Sequence, residues 1–385
     1  MDFIVGSFNS PDLFTLQFTP PSPDGNIKAS IFTIRPSPVI GNHSWLALTK
    51  DKTELYATAW TTPPSIAAYK IKNSGREVQF LNAKYTRSRS GYVCCSPSHI
   101  YSAGGPTGEV FALLPDGSIG DLVQELDFTD PSSVSDGKTE ERPHGDFGGL
   151  RHGSHSVDLS PDGRSLYIAD IGRNCIWTFS VNKTRRSSEP HLRLGSKHIS
   201  PRSDDGPRHT WPHPNGKVLY CLHEHTSMVD AFDVADDGVT LRHKQGVKII
   251  PASKDAKNYW ADEVRLSGTA PGDGPKYLYA STRGLRAETK GYVAVFAIDE
   301  HGSITSDHAI DVWETPTSGG IANAIEPAPW RKEHEGVEYL AMTDSEEGWV
   351  FVLGFDGAKV SEVARLNLGK TDDGDIVQAA TAVWL

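Results

Sequence analysis

Two kinds of short apolar segment alternate along the chain and predict a repeated β structure. The first contains Leu-Tyr or a close variant and occurs at Phe3-Ile4, Leu55-Tyr56, Ile100-Tyr101, Leu166-Tyr167, Leu219-Tyr220, Leu278-Tyr279 and Tyr339-Leu340. The second follows each copy and alternates apolar with polar positions, as a strand with one buried face requires. Its copies are Leu13–Phe18, Ile66–Ile71, Val110–Leu113, Ile176–Val181, Val229–Val234, Val293–Ile298 and Val350–Leu353. Seven copies in 385 residues give a repeat of 55 residues.

A third strand-like segment precedes each Leu-Tyr segment. Its copies are Trp45–Thr49, Tyr92–Ser96, His155–Ser160, Arg208–His213, Trp260–Leu266, Ala322–Pro327 and, from the chain end, Ala380–Leu385. Seven four-stranded units of this size predict an all-β fold, a seven-bladed β-propeller in one domain over residues 1–385. The C-terminal strand is expected to join the N-terminal blade, because this closure removes an exposed sheet edge.

The turn residues support this prediction. Asp-Gly, a strong hairpin signal, begins at positions 24, 116, 136, 162, 205, 237, 273, 356 and 373. Gly and Pro together number 61, and there are 35 aromatic residues but only 3 Met. Length alone would suggest two or three domains of roughly 150 residues, but this composition favours many short strands instead. The absence of Trp-Asp pairs argues against a WD40 array.

Charge and composition narrow the possible partners. The net charge is −11, so we expect no nucleic-acid partner, and the basic stretch 183–202 is interpreted as a solvated loop. The polar stretch 130–149 is interpreted as a long surface loop. No apolar run is long enough for a membrane helix, and no secretory signal opens the chain. The four cysteines follow no disulfide or metal pattern, which favours a reduced, cytoplasmic protein.

Polar residues near the starts of the inner strands are the candidates for chemistry, because these positions converge at one mouth of a propeller channel. They are His155, Arg208, Asp262 and Asn323, and the next strands add Glu224 and Arg283. Arginines bind carboxylates and a histidine can transfer a proton near neutral pH. A structural salt bridge is the alternative for any one of them. In so acidic a protein, a small polyanion would need Arg208 and Arg283 to form a local positive site.

Metal and nucleotide sites are not predicted. His152 and His155 lie three residues apart, and His223-Glu224-His225 forms a cluster in which alternation would put the two histidines on one face. Pairs of this kind arise by chance among 15 histidines. The sequence has no HExxH, P-loop, G-x-G-x-x-G or G-x-S-x-G motif.

Several motifs resemble those of the fungal 3-carboxy-cis,cis-muconate cyclases. They are the stretch from Thr315 to Ala324 (TPTSGGIANA), Pro327 to Trp330 (PAPW), Thr343 to Trp349 (TDSEEGW), Gly153 to Ser156 (GSHS), Pro207-Arg208, Leu222 to Glu224 (LHE) and Ala280 to Arg283 (ASTR). The resemblance covers most of the chain and is weakest before residue 150. The family is a seven-bladed propeller within a wider group that includes 6-phosphogluconolactonase-like lactonases.

The resemblance implies a cofactor-free cycloisomerase that lactonises 3-carboxy-cis,cis-muconate in the protocatechuate branch of aromatic catabolism. It implies His155, Arg208, Glu224 and Arg283 as catalytic residues, with His155 as the proton donor and Glu224 orienting it, or the reverse. Expected substrate-binding residues are Arg208, Arg283, Asp262, Asn323 and Arg286. No metal is implied.

Two departures from the family leave the substrate open. Relatives have a histidine after the Gly-Gly of the TPTSGG motif, where this chain has Ile321, and a His-Pro-Arg where it has Ser90-Gly91-Tyr92. With fewer cations, the dicarboxylate cis,cis-muconate is the alternative substrate. The residues also leave open a lactonase that hydrolyses sugar lactones and a non-catalytic propeller used for protein contacts. The expected partner is a small di- or tricarboxylate, and a homo-oligomer is possible.

Overall fold

The computed structural model describes residues 1–22, 24–128, 153–183, 189–334 and 336–385. These residues form seven four-stranded antiparallel sheets, which confirms the predicted seven-bladed propeller. We number the blades in chain order from the one that contains the N-terminus. The only helical segments in these ranges are two short 3₁₀ turns, Ala256–Asn258 and Lys332–His334. None of the helices in the described ranges has the length and apolar character that a membrane span requires.

Each blade repeats the same strand order from the central channel outward. The innermost strands are β28 (Ala379–Trp384), β4 (Leu46–Leu48), β8 (Tyr92–Cys95), β12 (Ser154–Leu159), β16 (Pro207–Pro212), β20 (Tyr259–Leu266) and β24 (Ile325–Pro327). The second strands are β1 (Asp2–Ser7), β5 (Glu54–Ala59), β9 (His99–Gly104), β13 (Ser165–Asp170), β17 (Val218–His223), β21 (Tyr277–Gly284) and β25 (Glu338–Thr343). The third strands are β2 (Asp12–Thr19), β6 (Ser65–Lys72), β10 (Thr107–Leu113), β14 (Cys175–Val181), β18 (Met228–Val234), β22 (Tyr292–Ala297) and β26 (Trp349–Phe355). The outer strands are β3 (Ser30–Pro38), β7 (Glu77–Tyr85), β11 (Ile119–Asp127), β15 (Leu192–Ile199), β19 (Leu241–Lys248), β23 (Asp311–Glu314) and β27 (Val360–Asn367).

The C-terminal strand closes the ring, as the sequence predicts. Strand β28 pairs antiparallel with β1, and Phe3 lies opposite Trp384 in the register. Their rings are in contact, with centroids 4.5 Å apart. The Trp384 indole Nε1 also donates to the backbone oxygen of Glu326 in blade 7, at 2.9 Å. The last strand therefore joins the first and last blades.

The two repeated sequence signals contact each other between blades. The hydroxyl of Tyr167 in blade 4 donates to the backbone oxygen of Gly238, in the Asp-Gly turn of blade 5, at 3.0 Å. Tyr56 in blade 2 makes the same bond to Gly117 of blade 3, also at 3.0 Å. Both glycines have positive φ, so these turns depend on glycine. In these two blades the Leu-Tyr strand thus packs against the Asp-Gly turn of the next blade, and Tyr220 makes an equivalent bond to the backbone oxygen of Gly302, which follows His301.

Not every Asp-Gly pair forms a hairpin. The pairs at 205–206 and 373–374 lie in connections between blades, after β15 and after β27. Asp205 accepts hydrogen bonds from Arg202 and Thr226, so its role there is to fix the connection. The pair at 136 and the predicted loop at 130–149 fall outside the described residues, as does part of the stretch 183–202.

Candidate active site

Three neighbouring inner strands each contain a β-bulge at a predicted site residue. The pairing register skips His155 in β12, Arg208 in β16 and Asp262 in β20. A bulge leaves one residue unpaired and redirects its side chain, which is why bulges are frequent beside active sites. All three bulged residues line one cavity at the end of the channel where the inner strands begin.

This cavity combines a charged cluster with apolar walls. It encloses about 610 Å³ outside the protein atoms, including the part open to solvent. Its polar lining consists of Ser44, His155, Arg208, His209, Glu224, Asp262 and Arg283. Its apolar lining includes Phe8, Trp45, Trp60, Ile171, Ile321, Ala322, Ala324 and Ala380. The four predicted catalytic residues are therefore together in one cavity.

Arg208 is at the centre of the cluster and is held by several partners. Its Nη2 donates to Asp262 Oδ1 at 2.7 Å and its Nε to the Asp262 backbone oxygen at 3.0 Å. Its Nη1 donates to Glu224 Oε2 at 3.2 Å and lies 2.6 Å from His155 Nε2. The guanidinium plane is thus fixed before any ligand binds.

Arg283 lies beside Arg208 and shares its carboxylates at longer distances. Arg283 Nη2 is 4.0 Å from Glu224 Oε2, and its Nε is 3.8 Å from Asp262 Oδ1. Its Nη1 donates to the Gly320 backbone oxygen at 3.1 Å, and the guanidinium lies over the Trp260 ring. Two arginines and two carboxylates balance in formal charge, so Glu224 and Asp262 offset the local positive charge that a small polyanion would need from Arg208 and Arg283.

His155 is held in its neutral form. Because an arginine N–H can only donate, the short contact makes His155 Nε2 the acceptor, and the ring proton is on Nδ1. Burial lowers the pKa of His155 well below its usual value, and the charge of Arg208 lowers it further. An imidazolium at this position would place a second cation against Arg208. This geometry is unfavourable for His155 as the proton donor.

Two predicted binding residues lie outside the cavity lining. Asn323 is buried behind Asp262: its backbone N–H donates to Asp262 Oδ2 at 2.9 Å, and its side chain donates to the Thr282 backbone oxygen. Asn323 therefore positions Asp262. Arg286 follows β21 and lines a separate surface cavity with Lys254 and Glu288, so the structure does not bring it to the candidate site.

Sequence reasoning missed His209, which lines the cavity next to Arg208. Strict alternation would turn its side chain away from that of Arg208, but the bulge lets both face the channel. His209 Nδ1 lies 2.9 Å from Glu263 Oε1, and Glu263 directly follows the bulged Asp262. The signal in the sequence was a polar pair at matching positions of two inner strands, Arg208-His209 and Asp262-Glu263.

The histidine cluster around Glu224 does not share one face. Glu224 and His225 follow the end of β17, so strand alternation does not apply to them. His225 Nε2 lies 3.7 Å from Glu224 Oε1, whereas His223 Nε2 bonds Asp230 at 2.9 Å in the blade interior.

Asp205, His223 and Asp230 are close enough to one another to hold a cation. The guanidinium of Arg202 already pairs with both of these carboxylates, at 2.5 Å from Asp205 and 2.7 Å from Asp230. An arginine therefore supplies the positive charge that this acidic group needs. His152, the other predicted pairing partner of His155, lies outside the described residues.

Comparison with known proteins identifies related chains. Residues 28–316 match the family model described as lactonase, 7-bladed beta-propeller. The chain is 39% identical to muconate cycloisomerase 1 of Cutaneotrichosporon cutaneum, over all of this chain and 98% of the relative. It is 25% identical to the carboxy-cis,cis-muconate cyclase of Neurospora crassa, over 99% of this chain and 98% of the relative. The periplasmic gluconolactonase of Pseudomonas aeruginosa shares the fold, with a TM-score of 0.77, 17% identity and coverage of 100% of this chain and 98% of that one.

Proposed function

Because this chain belongs to the seven-bladed β-propeller lactonase family, we propose that it is a lactonizing cycloisomerase of aromatic-compound catabolism. The observation that carries the proposal is the cluster of Arg208, Arg283, Glu224 and His155, held at the channel mouth against apolar walls. Relatives named muconate cycloisomerase and carboxy-cis,cis-muconate cyclase, aligned over nearly the whole chain, support the same reaction class.

We favour cis,cis-muconate over 3-carboxy-cis,cis-muconate, which the motif resemblance alone put first. The higher identity is to the relative named for muconate. Ile321 makes part of the cavity wall apolar at the position where the resembling cyclases have a histidine. A third carboxylate against that wall would lose hydration without gaining a charged partner.

The reaction requires a folded substrate and stabilisation of developing charge. One carboxylate oxygen adds to the conjugated double bond, and the electron pair moves toward the other carboxylate to give an enolate-like group. Arg208 and Arg283 bind the carboxylates and face the charge that develops. Glu224, Asp262 and the neutral His155 hold these guanidinium groups in place, so little reorganisation is needed during the reaction.

We place the protein in the cytoplasm. All four cysteines are free, and Cys175 and Cys221 are buried thiols. A reducing compartment keeps such thiols reduced. Detection of the native protein in a cytosolic fraction, rather than in the culture medium or an organelle, is the direct check.

The test is conversion of the substrate by the purified protein. Muconate and 3-carboxymuconate should each be incubated with it, with and without chelator, while loss of the diene absorbance is followed and the product is identified. We expect muconate to give a lactone with the higher kcat/KM. Arg283→Ala should reduce kcat/KM by about 100-fold or more, the cost of removing a charge-stabilising donor. Arg242→Ala, an exposed arginine on the outer strand β19, is the matched control.

Hydrolysis of gluconolactone or 6-phosphogluconolactone, with no conversion of muconate or of 3-carboxymuconate, would refute the cycloisomerase proposal and favour a lactonase. Equal activity of Arg283→Ala and Arg242→Ala would leave the reaction class intact and remove the assigned site.

A further inference from the structure

The inner end of the cavity is closed by a layer of three rings, one of which belongs to a histidine. The ring centroid of His209 lies 5.1 Å from that of Trp45 and 5.3 Å from that of Tyr92. Trp45 also lines a second cavity, at the end of the channel where the inner strands finish, so this layer separates the two cavities. His209 is 2% exposed and lines the candidate site. A ligand that reaches the inner end of the site therefore contacts His209.

The hydrogen bonds of Glu263 fix the tautomer of His209. His209 Nδ1 lies 2.9 Å from Glu263 Oε1. That oxygen also accepts from Arg265 Nη1 and, at 3.0 Å, from the Val264 backbone N–H. Any proton that Glu263 keeps is therefore on its other oxygen, and His209 Nδ1 is the donor in this contact. The second ring nitrogen of His209, Nε2, is then an acceptor that carries no proton.

This acceptor is buried and unpaired. Nε2 of His209 has no hydrogen-bond partner in the part of the chain that the structure describes. Burial lowers the pKa of His209 well below its usual value, and the charges of Arg208 and Arg265 lower it further. The other charged and titratable groups around the ring are Tyr92, His155, Asp158, Glu224, Asp262, Glu263 and, through Arg265, Glu326. The ring stays neutral at neutral pH, so the missing donor must come from a ligand.

The neighbouring histidine offers the complementary group. His155 Nε2 accepts from Arg208, so its Nδ1 carries the ring proton. This Nδ1 is buried and likewise has no partner among the described residues. The ring centroids of His155 and His209 are 5.1 Å apart. The cavity wall thus presents one unpaired donor and one unpaired acceptor on adjacent rings.

A protonated carboxyl group matches these two rings, and an ionised one does not. A carboxylic acid has one O–H donor and a carbonyl oxygen that accepts, whereas a carboxylate can only accept. A carboxylate against His209 Nε2 would leave that nitrogen unpaired and bring lone pairs of electrons together, which is unfavourable in a buried site. An ionised carboxylate is instead suited to Arg208 and Arg283, because guanidinium groups bind carboxylates through charge-assisted hydrogen bonds.

We propose that the site binds its dicarboxylate substrate as the monoanion. The ionised carboxylate pairs with Arg208 and Arg283. The protonated carboxyl group donates to His209 Nε2 and accepts from His155 Nδ1. This inference rests on the proposed function and names the form of the substrate that the site takes. Hydrogen muconate and the lactone carboxylate have the same composition and charge, so the dianion takes up one proton when it binds and the isomerisation itself consumes none.

The first test uses ligands that differ in one hydrogen-bond donor. Adipate, the saturated six-carbon dicarboxylate, has the chain length of muconate but no double bond to react. Its monoamide and its monomethyl ester each have one carboxylate and one neutral end, and only the amide has an N–H to donate. We expect wild type to bind the monoamide with a Kd about tenfold or more below that of the ester, because the ester leaves the buried His209 Nε2 unpaired. Titration calorimetry measures both Kd values.

Two substitutions of His209 and one of a second histidine show whether His209 causes this preference. His209→Leu removes the acceptor and should bring the Kd values of the amide and the ester to within about threefold of each other. His209→Gln retains an oxygen that can accept and should keep part of the difference. His213→Leu is the matched control, because His213 is also 2% exposed and follows the same strand but is not among the residues that line the cavity. The ratio of the two Kd values in this control should stay within about twofold of wild type.

The second test follows the proton that the substrate must take up. Above the pKa of an ordinary carboxyl group, about 4.3, the fraction of a dicarboxylate that is monoanionic falls about tenfold per pH unit. The Kd of wild type for adipate should therefore rise about tenfold per unit between about pH 6 and pH 8, and kcat/KM for muconate should fall in parallel. The monoamide keeps one charge throughout this range, so its Kd should change by less than about threefold. Its constancy also excludes titration of the protein as the cause of the change with adipate.

The outcomes separate this inference from the proposed function. If wild type converts neither muconate nor 3-carboxymuconate but shows the amide preference and its loss in His209→Leu, the reaction class is wrong and the bound form of the ligand stands. If wild type converts muconate but binds the ester as tightly as the amide, or binds adipate equally at both pH values, the dicarboxylate binds as the dianion and the inference fails. Failure of wild type to bind the monoamide at millimolar concentration would also overturn it. If His209→Leu does not fold, the amide preference of wild type and the pH dependence decide.

Discussion

At the residue scale, one hydrogen bond reverses the role that motif resemblance gave to His155. The resemblance makes it the proton donor, but the contact with Arg208 makes its Nε2 an acceptor. Residue type and position predicted that His155 belongs to the site. Its protonation state depends on which atom faces which neighbour, and this is fixed by the fold.

This assignment predicts different effects for two His155 variants. His155→Gln retains an oxygen that can accept from Arg208, whereas His155→Leu leaves the guanidinium without this partner. A hydrogen bond to a charged group contributes about 1.5–3 kcal/mol. We therefore expect His155→Leu to reduce kcat/KM for muconate by about tenfold or more, and His155→Gln to recover most of that loss. Equal, severe loss of kcat in both variants would show that the imidazole itself transfers the proton.

At the element scale, the repeats were predictable and the bulges were not. Period-2 alternation and turn residues depend on neighbouring residues, so the inner strands and the closing strand β28 could be placed from the sequence. A bulge depends on pairing with another strand and has no local signal. The sequence therefore identified Arg208 and Asp262 but missed His209 and Glu263, which the bulges place beside them.

The closing strand leads to a prediction about stability. Trp384 is 4% exposed, packs on Phe3 and donates to Glu326 of blade 7. Trp384→Ala should lower the free energy of unfolding by about 3–5 kcal/mol, because it leaves a cavity and removes the bond between the first and last blades. Urea unfolding followed by circular dichroism measures the change.

Trp330→Ala is the matched control, since Trp330 is 39% exposed and its loss should cost less than about 1 kcal/mol. If Trp384→Ala and Trp330→Ala lowered the free energy of unfolding equally, ring closure through β28 would contribute little to stability.

At the scale of the whole molecule, buried acids and buried histidines favour opposite ends of the pH range. Burial raises the pKa of Asp158 and Glu338 to about 7 and that of Glu263 to about 8. Burial lowers the pKa of His43 to about 4. A carboxyl with a raised pKa binds its proton more tightly in the folded state, so its contribution to stability falls as pH rises from about 4 to 8. A histidine with a lowered pKa binds its proton less tightly in the folded state, so its contribution to the stability of the protein falls as pH falls below about 6.5.

The two trends together predict a thermal midpoint that is highest at mildly acidic pH and falls between about pH 6 and pH 8.5. Asp158→Asn should reduce that fall, because it removes one buried group that must ionise at a cost. Asp162→Asn is the control: hydrogen bonds lower the pKa of Asp162 to about 2, so it is already charged throughout this range. Scanning calorimetry of wild type and the two variants at pH 6 and at pH 8.5 measures the change in thermal midpoint.

If Asp158→Asn shows the same fall in thermal midpoint as wild type, ionisation of Asp158 does not limit stability at alkaline pH, and the fall must come from other groups. If the wild-type midpoint rises toward the alkaline end, the buried carboxyls as a class are ionised in the folded protein.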